Sequence, residues 1–184
     1  MAKIGLKNFR YSILTEADDG TPSYNGAVKP AHAISCSVEI SNNNAQLFGD
    51  DALIESDTGF SSGTVTIGID KFDKTTQAAL LGHTATENEI ISSVNDEVPF
   101  VGFGRIITEM VGGAYKYTVK FLYKVKFSEP NDSDQTKGEN VEFSTVELQG
   151  TVAALKNGKW KAEQTFDTEA AAVSYLEGLM AAGE

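Results

Sequence analysis

Alternating apolar and polar positions run through most of the chain and predict β-strands. The clearest example is AYKYTVKFLYKVKFSEP, residues Ala114–Pro130, where aromatic and branched side chains hold the odd positions and lysines hold four of the even ones. Such a period of two is typical of a strand with one apolar and one polar face. The segment is longer than an ordinary strand, which predicts either an arm that projects past the body or a strand of a large sheet.

Further strands are predicted on both sides of this segment. PFVGFGRIITEM, residues 99–110, leads into it through Val111-Gly112-Gly113, which has the composition of a hairpin turn. Another strand is predicted from Val141 to Leu155. The turn at Asn157-Gly158 is expected to return the chain over Trp160–Phe166.

Three N-terminal strands and two helices complete the predicted elements. Residues 5–16 and 27–40 predict a strand pair around a turn-rich segment, and residues 62–70 predict one more strand. The first helix is expected to run from an N-cap at Asp73 to a stop at Gly82. The second begins on Asp167 or Thr168 and has an apolar face made of Val173, Leu176, Leu179 and Met180. With no repeat or linker, residues 1–184 predict one α+β domain that is mostly β.

Charge and composition narrow the classes of function. The 184 residues carry 15 basic and 26 acidic side chains, a formal net charge of −11. This balance argues against general affinity for nucleic acid, because phosphate binding relies on Lys and Arg to release counterions. Cys36 is the only cysteine, which excludes an internal disulfide and any zinc site built on cysteine pairs. Because no apolar run suits a signal peptide or a membrane span, we expect synthesis in a reducing cytoplasm and no membrane association.

Motifs for catalysis and cofactor binding are weak. His32 and His83 are the only histidines, and no serine lies in the strand–turn–helix motif of a hydrolase. His83 follows the predicted C-cap glycine, where a histidine interacts favourably with the helix dipole, and both histidines are assigned structural roles. VGFGR, residues 101–105, has two glycines of a phosphate-binding pattern but lies in a predicted strand. The sequence therefore predicts no catalytic residue, no metal site and no cofactor.

Three carboxylates cluster in QLFGDDALIE, residues 46–55, namely Asp50, Asp51 and Glu55. They could hold a hard cation weakly, but no histidine or matching ligand set accompanies them. The surrounding region, Ser41–Ser61, is turn-prone and is predicted to be a long excursion between strands, held by Leu47, Phe48, Leu53 and Ile54. Because it carries both apolar and acidic side chains, we expect it to contact another surface.

Four lysines occupy even positions of the long predicted strand, namely Lys116, Lys120, Lys124 and Lys126. A row of lysines could grip phosphates, as some β-ribbons do. The aromatic side chains are predicted on the opposite face, however, so no stacking platform accompanies the charge. We therefore favour a solvated or partner-facing strand, since exposed lysines also suppress unwanted edge pairing.

Short segments in order along nearly the whole chain resemble the major tail proteins, or tail tube proteins, of long-tailed non-contractile phages. The similar segments are KIGLKNFRYSIL, LFGDDALIE, LLGHT, VPFVGFG, LYKVKFSEP and FSTVELQGTVAALKNGKW. No single segment is long, so the resemblance rests on their order and spacing. The chain ends after its last predicted helix, and we expect no C-terminal immunoglobulin-like domain of the kind that many relatives carry.

The resemblance implies an antiparallel β-sandwich or partial barrel with flanking helices and long hairpin or loop arms, which is the tail tube fold. It implies a structural virion protein and not an enzyme: copies close into hexameric rings, and rings stack into the tube that conducts the genome into the host. The implied partners are other copies of the chain, a tape-measure protein, a tail-tip initiator and a tail terminator. Genomic DNA would pass without specific binding. The implied location is the phage tail, after synthesis in the host cytoplasm.

Within this interpretation the acidic segment is a contact loop between subunits or rings. Leu47 and Phe48 are expected to anchor it, and its carboxylates are expected to meet basic groups of a neighbour, through Asp50, Asp51 and Glu55. The lysine row is expected to face away from the lumen or to be neutralised across an interface. One alternative is the tube protein of a phage-derived secretion or injection machine, which would form the same rings. Another is a carbohydrate-active sandwich that uses the three carboxylates, but its aromatic-lined cleft would have only Trp160 as tryptophan.

Overall fold

The computed structural model describes residues 2–49, 52–132 and 145–181, and for residues 45–49 and 52–58 it describes the backbone alone. Within these ranges the chain forms ten strands and two helices. The strands are β1 (Ala2–Glu16), β2 (Pro22–Tyr24), β3 (Ala33–Gly49), β4 (Ala52–Ile69), β5 (Thr84–Ala85), β6 (Ile90–Ile91), β7 (Val101–Val111), β8 (Ala114–Phe127), β9 (Val146–Ala153) and β10 (Lys161–Phe166). The helices are α1 (Lys74–Leu81) and α2 (Glu169–Leu179).

One antiparallel sheet dominates the fold. Its strand order is β2-β1-β7-β8-β9-β4-β3, with β10 paired to β8 outside this path, while β5 and β6 form a small separate sheet. At the end of the order β3 contacts β1 again, so the sheet curls toward itself as a partial barrel. The predicted α+β fold, mostly β and antiparallel, is confirmed.

The long strand β8 lies within the large sheet and does not form an arm. Val101 pairs with Val125 but Phe103 pairs with Leu122, so β8 has one extra residue between these pairs. Such a bulge shifts which positions face each side. Val119, before the bulge, packs beneath α2, whereas Leu122 and Val125 pack in the core on the opposite side of the sheet. The predicted alternation has the right period, but the prediction of a single polar face is wrong.

The strands β9 and β10 lie end to end along one edge of β8. β9 pairs with Lys124–Phe127, and β10 pairs with Tyr117–Leu122. Between them is a turn in which the Gly158 N–H donates to the Leu155 carbonyl at 2.9 Å. The prediction that this turn folds the second strand back on the first is wrong, because β8 pairs with each of them in succession. Residues 141–144, predicted as the start of β9, lie outside the described residues.

The N-terminal strand also pairs differently from the prediction. β1 pairs with β7 from Ala2↔Met110 to Ile13↔Val101. The segment 27–40 contributes one bridge to it, Tyr11↔Val28, and then enters β3, which pairs with β4. Most of β7 is buried on both faces, so it requires a hydrogen-bonded strand on each of its two edges. β8 pairs with one edge, and β1 pairs with the other.

α1 begins and ends where the sequence predicts, and α2 begins there. The Asp73 side chain accepts a hydrogen bond from the Thr76 N–H at 2.8 Å, and Gly82 ends α1 with φ 76°. Thr168 is the N-cap of α2, and its hydroxyl accepts from the Ala171 N–H at 3.3 Å. The left-handed backbone at Gly82 explains why a glycine stops the helix there.

Helix α2 packs on the sheet above two glycines of β7. A Cβ added at Gly104 would overlap the Leu176 side chain, and one at Gly102 would overlap the rings of Tyr24 and Phe121. Gly104 therefore allows close packing between sheet and helix, and Gly102 leaves room for two aromatic rings, both of which are common reasons for glycine inside a strand.

Candidate functional site

A two-stranded arm extends the hairpin of β3 and β4 beyond the sheet. β3 and β4 pair from Ala33↔Ile69 out to Gly49↔Ala52, whereas β9 accompanies β4 only over Gly63–Ile69. We call residues 42–60 the arm. The region predicted as a long excursion is thus a regular hairpin, and the prediction of a loop is wrong. The sequence pattern did not predict these two strands, because polar and small residues such as Asn42–Asn44 occupy much of the segment. They leave little of the apolar period of two that identifies a strand.

The predicted contact residues all belong to this arm. Leu47, Phe48 and Glu55 lie in its two strands, and Leu47 pairs directly with Glu55 across the hairpin. Asp50 and Asp51 lie outside the described residues. Their role in contacts between subunits stays a prediction.

The arm is long and acidic. Each of its strands spans roughly 30 Å at about 3.3 Å per residue. From Ala33 to Ile69 the sequence contains no Lys or Arg, and its acids are Glu39, Asp50, Asp51, Glu55 and Asp57. A two-stranded ribbon is marginally stable alone in water, so the arm would gain stability from a surface that covers it.

The four lysines of β8 do not form one exposed row. Lys116 pairs with Asp167, Lys120 with Glu163 at 3.1 Å, and Lys124 with Glu16 at 2.5 Å. Lys126 is exposed, and its Nζ lies 5.3 Å from the centre of the Phe100 ring. The prediction of a partner-facing strand is wrong in its geometry, because β8 is internal and most of these charges are neutralised within the chain. Contact between Lys126 and a partner stays a prediction.

A cleft of about 590 Å³ lies where β3 curls back toward β1. Its walls come from the first residues of β1 and the middle of β3, and its floor from β7, β8 and the start of β10. Four cationic side chains line it, namely Lys3, Arg105, Lys120 and Lys161. Ile4 and Ile40, which are 52% and 39% exposed, add an apolar rim. The cleft thus combines positive charge with apolar surface on a chain that is acidic overall.

Trp160 lies between the arm and this cleft. Its ring stacks on Phe60, with ring centres 4.3 Å apart, and Lys161 Nζ lies over the ring 5.3 Å from its centre. Phe60 thus covers a ring face that an aromatic sugar platform would need to leave open.

The two histidines hydrogen-bond to carboxylates. His83 Nδ1 lies 2.8 Å from Asp96 Oδ2, and its Nε2 lies 2.8 Å from Glu129 Oε2. These hydrogen bonds raise the pKa of His83, because both ring nitrogens can donate only in the imidazolium form. The bond to His83 in turn lowers the pKa of Asp96. His32 is exposed and bonds Asp70 at 2.7 Å. The His83 triad joins the end of α1 to two loops.

Two negative findings apply to the described ranges. No group of three or more His, Cys, Asp or Glu side chains has the arrangement of a metal site there. Neither helix in this part of the chain has the length and apolar character needed to cross a bilayer.

Sequence reasoning missed the most unusual charged residue of the cleft, Arg105. It is the one basic residue of the mostly apolar strand β7, is 9% exposed, and its Nη1 has no partner for a hydrogen bond in the part of the chain that the structure describes. A lone basic residue inside an apolar predicted strand was the available indication. Its burial followed from the position of β7 at the centre of the sheet, which local pattern does not reveal.

No protein-family model matches the chain, and none of the curated proteins matches it. The resemblance to tail tube proteins therefore stays a prediction from the quoted segments.

Proposed function

We propose that this protein is a structural subunit of a phage tail tube. The observation that carries the proposal is the arm, which leaves the sheet as a two-stranded ribbon, a structure that is marginally stable in water without a surface to cover it. A second copy of the same chain is the natural source of that surface, since repeated head-to-tail contacts generate rings and stacked filaments.

The sheet edges and the charge support the same proposal. β3 ends the strand order, and a strand at the end of a sheet can be extended by backbone hydrogen bonds from a neighbouring subunit. The net charge of −11 would repel DNA moving through a tube, whereas a basic wall would add salt-dependent contacts to phosphates. A tube of a phage-derived injection machine would use the same architecture, and the gene neighbourhood distinguishes it from a phage tail.

Electron microscopy of an armless variant tests the proposal. Ser41 pairs with Ser62, so residues 42–61 can be replaced by Asn-Gly to close the shortened hairpin with a tight turn. We expect the wild-type protein, concentrated or mixed with its tail-tip initiator, to form hollow rings or tubes in negative stain. The armless variant should stay monomeric by light scattering while keeping the circular dichroism of a folded β protein.

A milder variant addresses the predicted contact residues. Replacing Asp50 and Asp51 by Ala should weaken assembly and leave the monomer folded, since the change removes two of the predicted contact charges and adds no bulk. A wild-type protein that remains strictly monomeric with the initiator would contradict the tube function. Normal tubes from the armless variant would show that the arm does not carry the contact.

A further inference from the structure

Arg105 is a nearly buried charge with an unsatisfied donor. The residue is 9% exposed, and its Nη1 has no hydrogen-bond partner among the residues that the structure describes. Removing a guanidinium from water without an anion or acceptor costs several kcal/mol. Most buried charges in proteins are paired for this reason, so an unpaired one indicates a missing partner.

The surrounding charges increase this deficit. Lys120 lies directly opposite Arg105 on β8, and like charges in such cross-strand pairs repel. Glu163 is the nearby carboxylate, but it is shared by Lys120 at 3.1 Å and Lys161 at 3.4 Å. The one acid of β7, Glu109, is buried and accepts a hydrogen bond from the Thr118 hydroxyl at 3.0 Å. The cleft therefore holds more positive than negative charge.

We propose that this cleft is the docking site for the acidic arm of a second copy of the chain, with Arg105 binding an arm carboxylate. The inference rests on the proposed function and identifies the receiving surface for the contact. The arm and cleft are complementary, because the arm combines apolar residues with four acids and the cleft combines isoleucines with four cations. An arginine fork suits a carboxylate because two parallel N–H donors can bind both oxygens.

The arm cannot reach the cleft of its own chain by simple bending. The cleft lies beside Cys36–Ile40 of β3, near the root of the hairpin, and the far end of the arm is at Gly49 and Ala52. About ten residues of extended strand separate them, roughly 33 Å. Docking of the far end therefore requires another molecule, and the contact repeats from copy to copy.

Disulfide trapping between two differently sized chains tests the contact directly. Cys36 is the only cysteine and lines the cleft. A Cys36→Ser/Ala52→Cys variant keeps every arm acid, and in a mixture with tagged wild-type protein a mixed disulfide can join only position 52 to Cys36. Because burial raises the pKa of the Cys36 thiol, the oxidation is run at alkaline pH. We expect a mixed dimer on a denaturing gel, and at least tenfold less from the control Cys36→Ser/Ser174→Cys, whose cysteine lies on the exposed side of α2.

Substitution of Arg105 in the tagged partner separates docking from folding. Arg105→Met should lower the yield of mixed disulfide at least fivefold, with a melting temperature equal to or above that of wild type, because an unpaired buried charge is removed. Arg105→Lys should give an intermediate yield, since it keeps the charge but loses the planar fork. If Arg105→Met fails to fold, the arm acids are changed instead, in the chain that carries Cys36→Ser/Ala52→Cys. Asp50→Asn, Asp51→Asn and Glu55→Gln together must then lower the yield of mixed disulfide by the same fivefold.

The outcomes decide between the contact and its competitors. Equal cross-linking by wild type and by Arg105→Met, or no mixed disulfide above the Ser174 control, overturns the docking site. Binding of inorganic phosphate that depends on Arg105, without a mixed disulfide, would make the cleft a small-anion site and also overturn it. Electron microscopy of the same samples tests the proposed function independently of the docking site. Tubes without the cross-link refute only the docking site, and a cross-link without rings or tubes refutes only the tube function.

Discussion

The ring of Trp160 lies flat on the ring of Phe60, with centres 4.3 Å apart and planes 3° from parallel. Phe60 belongs to β4 at the root of the arm, and Trp160 ends the turn between β9 and β10. The Phe60–Trp160 pair therefore attaches the arm to the turn between β9 and β10, the two strands that pair end to end with β8. Its position makes the direction of the arm depend on a residue one hundred positions later in the chain.

Loss of this stacking should loosen the root of the arm. Phe60→Leu should lower the free energy of unfolding by about 1–2 kcal/mol, because it removes an aromatic contact and part of a half-buried surface. The sole tryptophan reports the change directly, and its emission should shift to the red as water reaches the ring. Tyr115→Leu is the matched control, since Tyr115 is 56% exposed, and it should change stability by less than about 0.5 kcal/mol. Equal stability of Phe60→Leu and wild type would refute the role of the pair.

Two glycine-to-alanine changes should have opposite effects. Gly104→Ala places a methyl group against Leu176 and should destabilise the protein by about 1–3 kcal/mol. Gly178→Ala meets no neighbouring atom and lies inside α2, so it should stabilise the protein by about 0.5–1 kcal/mol through helix propensity. Denaturant titration at constant slope measures both values. The double variant Gly104→Ala/Leu176→Ala should fail to restore wild-type stability, since it replaces an overlap by lost apolar burial.

The His83 triad predicts a pH dependence of stability. The folded pKa of His83 is raised by its hydrogen bonds to Asp96 and Glu129, above the unfolded value of about 6.5. The protonated form is therefore favoured by folding, and its contribution is fully present below about pH 6.5 and is lost as the pH rises through the folded pKa. Urea midpoints should fall over that interval in wild type and change less in His83→Gln. Asp96→Asn should lower the His83 pKa in an NMR titration, and an unchanged value would contradict the triad.

The ion pair of Lys124 and Glu16 predicts a response at acid pH. Hydrogen bonds from Lys124 and then from the Lys156 N–H lower the pKa of Glu16. The stabilisation is present above the unfolded value of about 4.3 and is lost as the pH falls through the folded pKa. Lys124→Met should cost about 1–3 kcal/mol at neutral pH, since Glu16 is only 10% exposed, and should reduce the loss on acidification. Lys126→Met, at an exposed position, should change stability by less than about 0.5 kcal/mol, and a similar cost for both changes would argue against a specific pair.

Local chemistry allowed several elements to be predicted from the sequence. The caps at Asp73, Gly82 and Thr168 rest on hydrogen bonds and backbone angles within a few residues, and all are observed. The turn at Gly112-Gly113 is also observed, since both glycines have positive φ, 59° and 84°. These features do not depend on the rest of the fold, which is why pattern and residue type suffice.

Long-range pairing could not be predicted in the same way. The sequence predicts that β1 pairs with the segment that follows it in the chain. β1 instead pairs with β7, which is buried on both faces and needs a strand on each edge. The bulge between Leu122 and Val125 turns the later side chains of β8 to the opposite side of the sheet. The lysines of β8, which simple alternation predicts on one face, therefore lie on two faces. The candidate cleft depends on the curl of the whole sheet, so the unpaired state of Arg105 is visible only in three dimensions.

The pairing of β1 with β7 has a consequence for the order of folding in the cell. β1 must wait until roughly 100 further residues have left the ribosome before its partner β7 exists. At about 5–20 residues per second that wait is on the order of 5–20 seconds, and such distant pairing also slows folding through the entropy of loop closure. The β7–β8 hairpin, with its local turn, can form first and serve as the template for both β1 and β10. Trp160 emerges later still, so the arm is attached at its root only after about 100 residues beyond Phe60 have been synthesised.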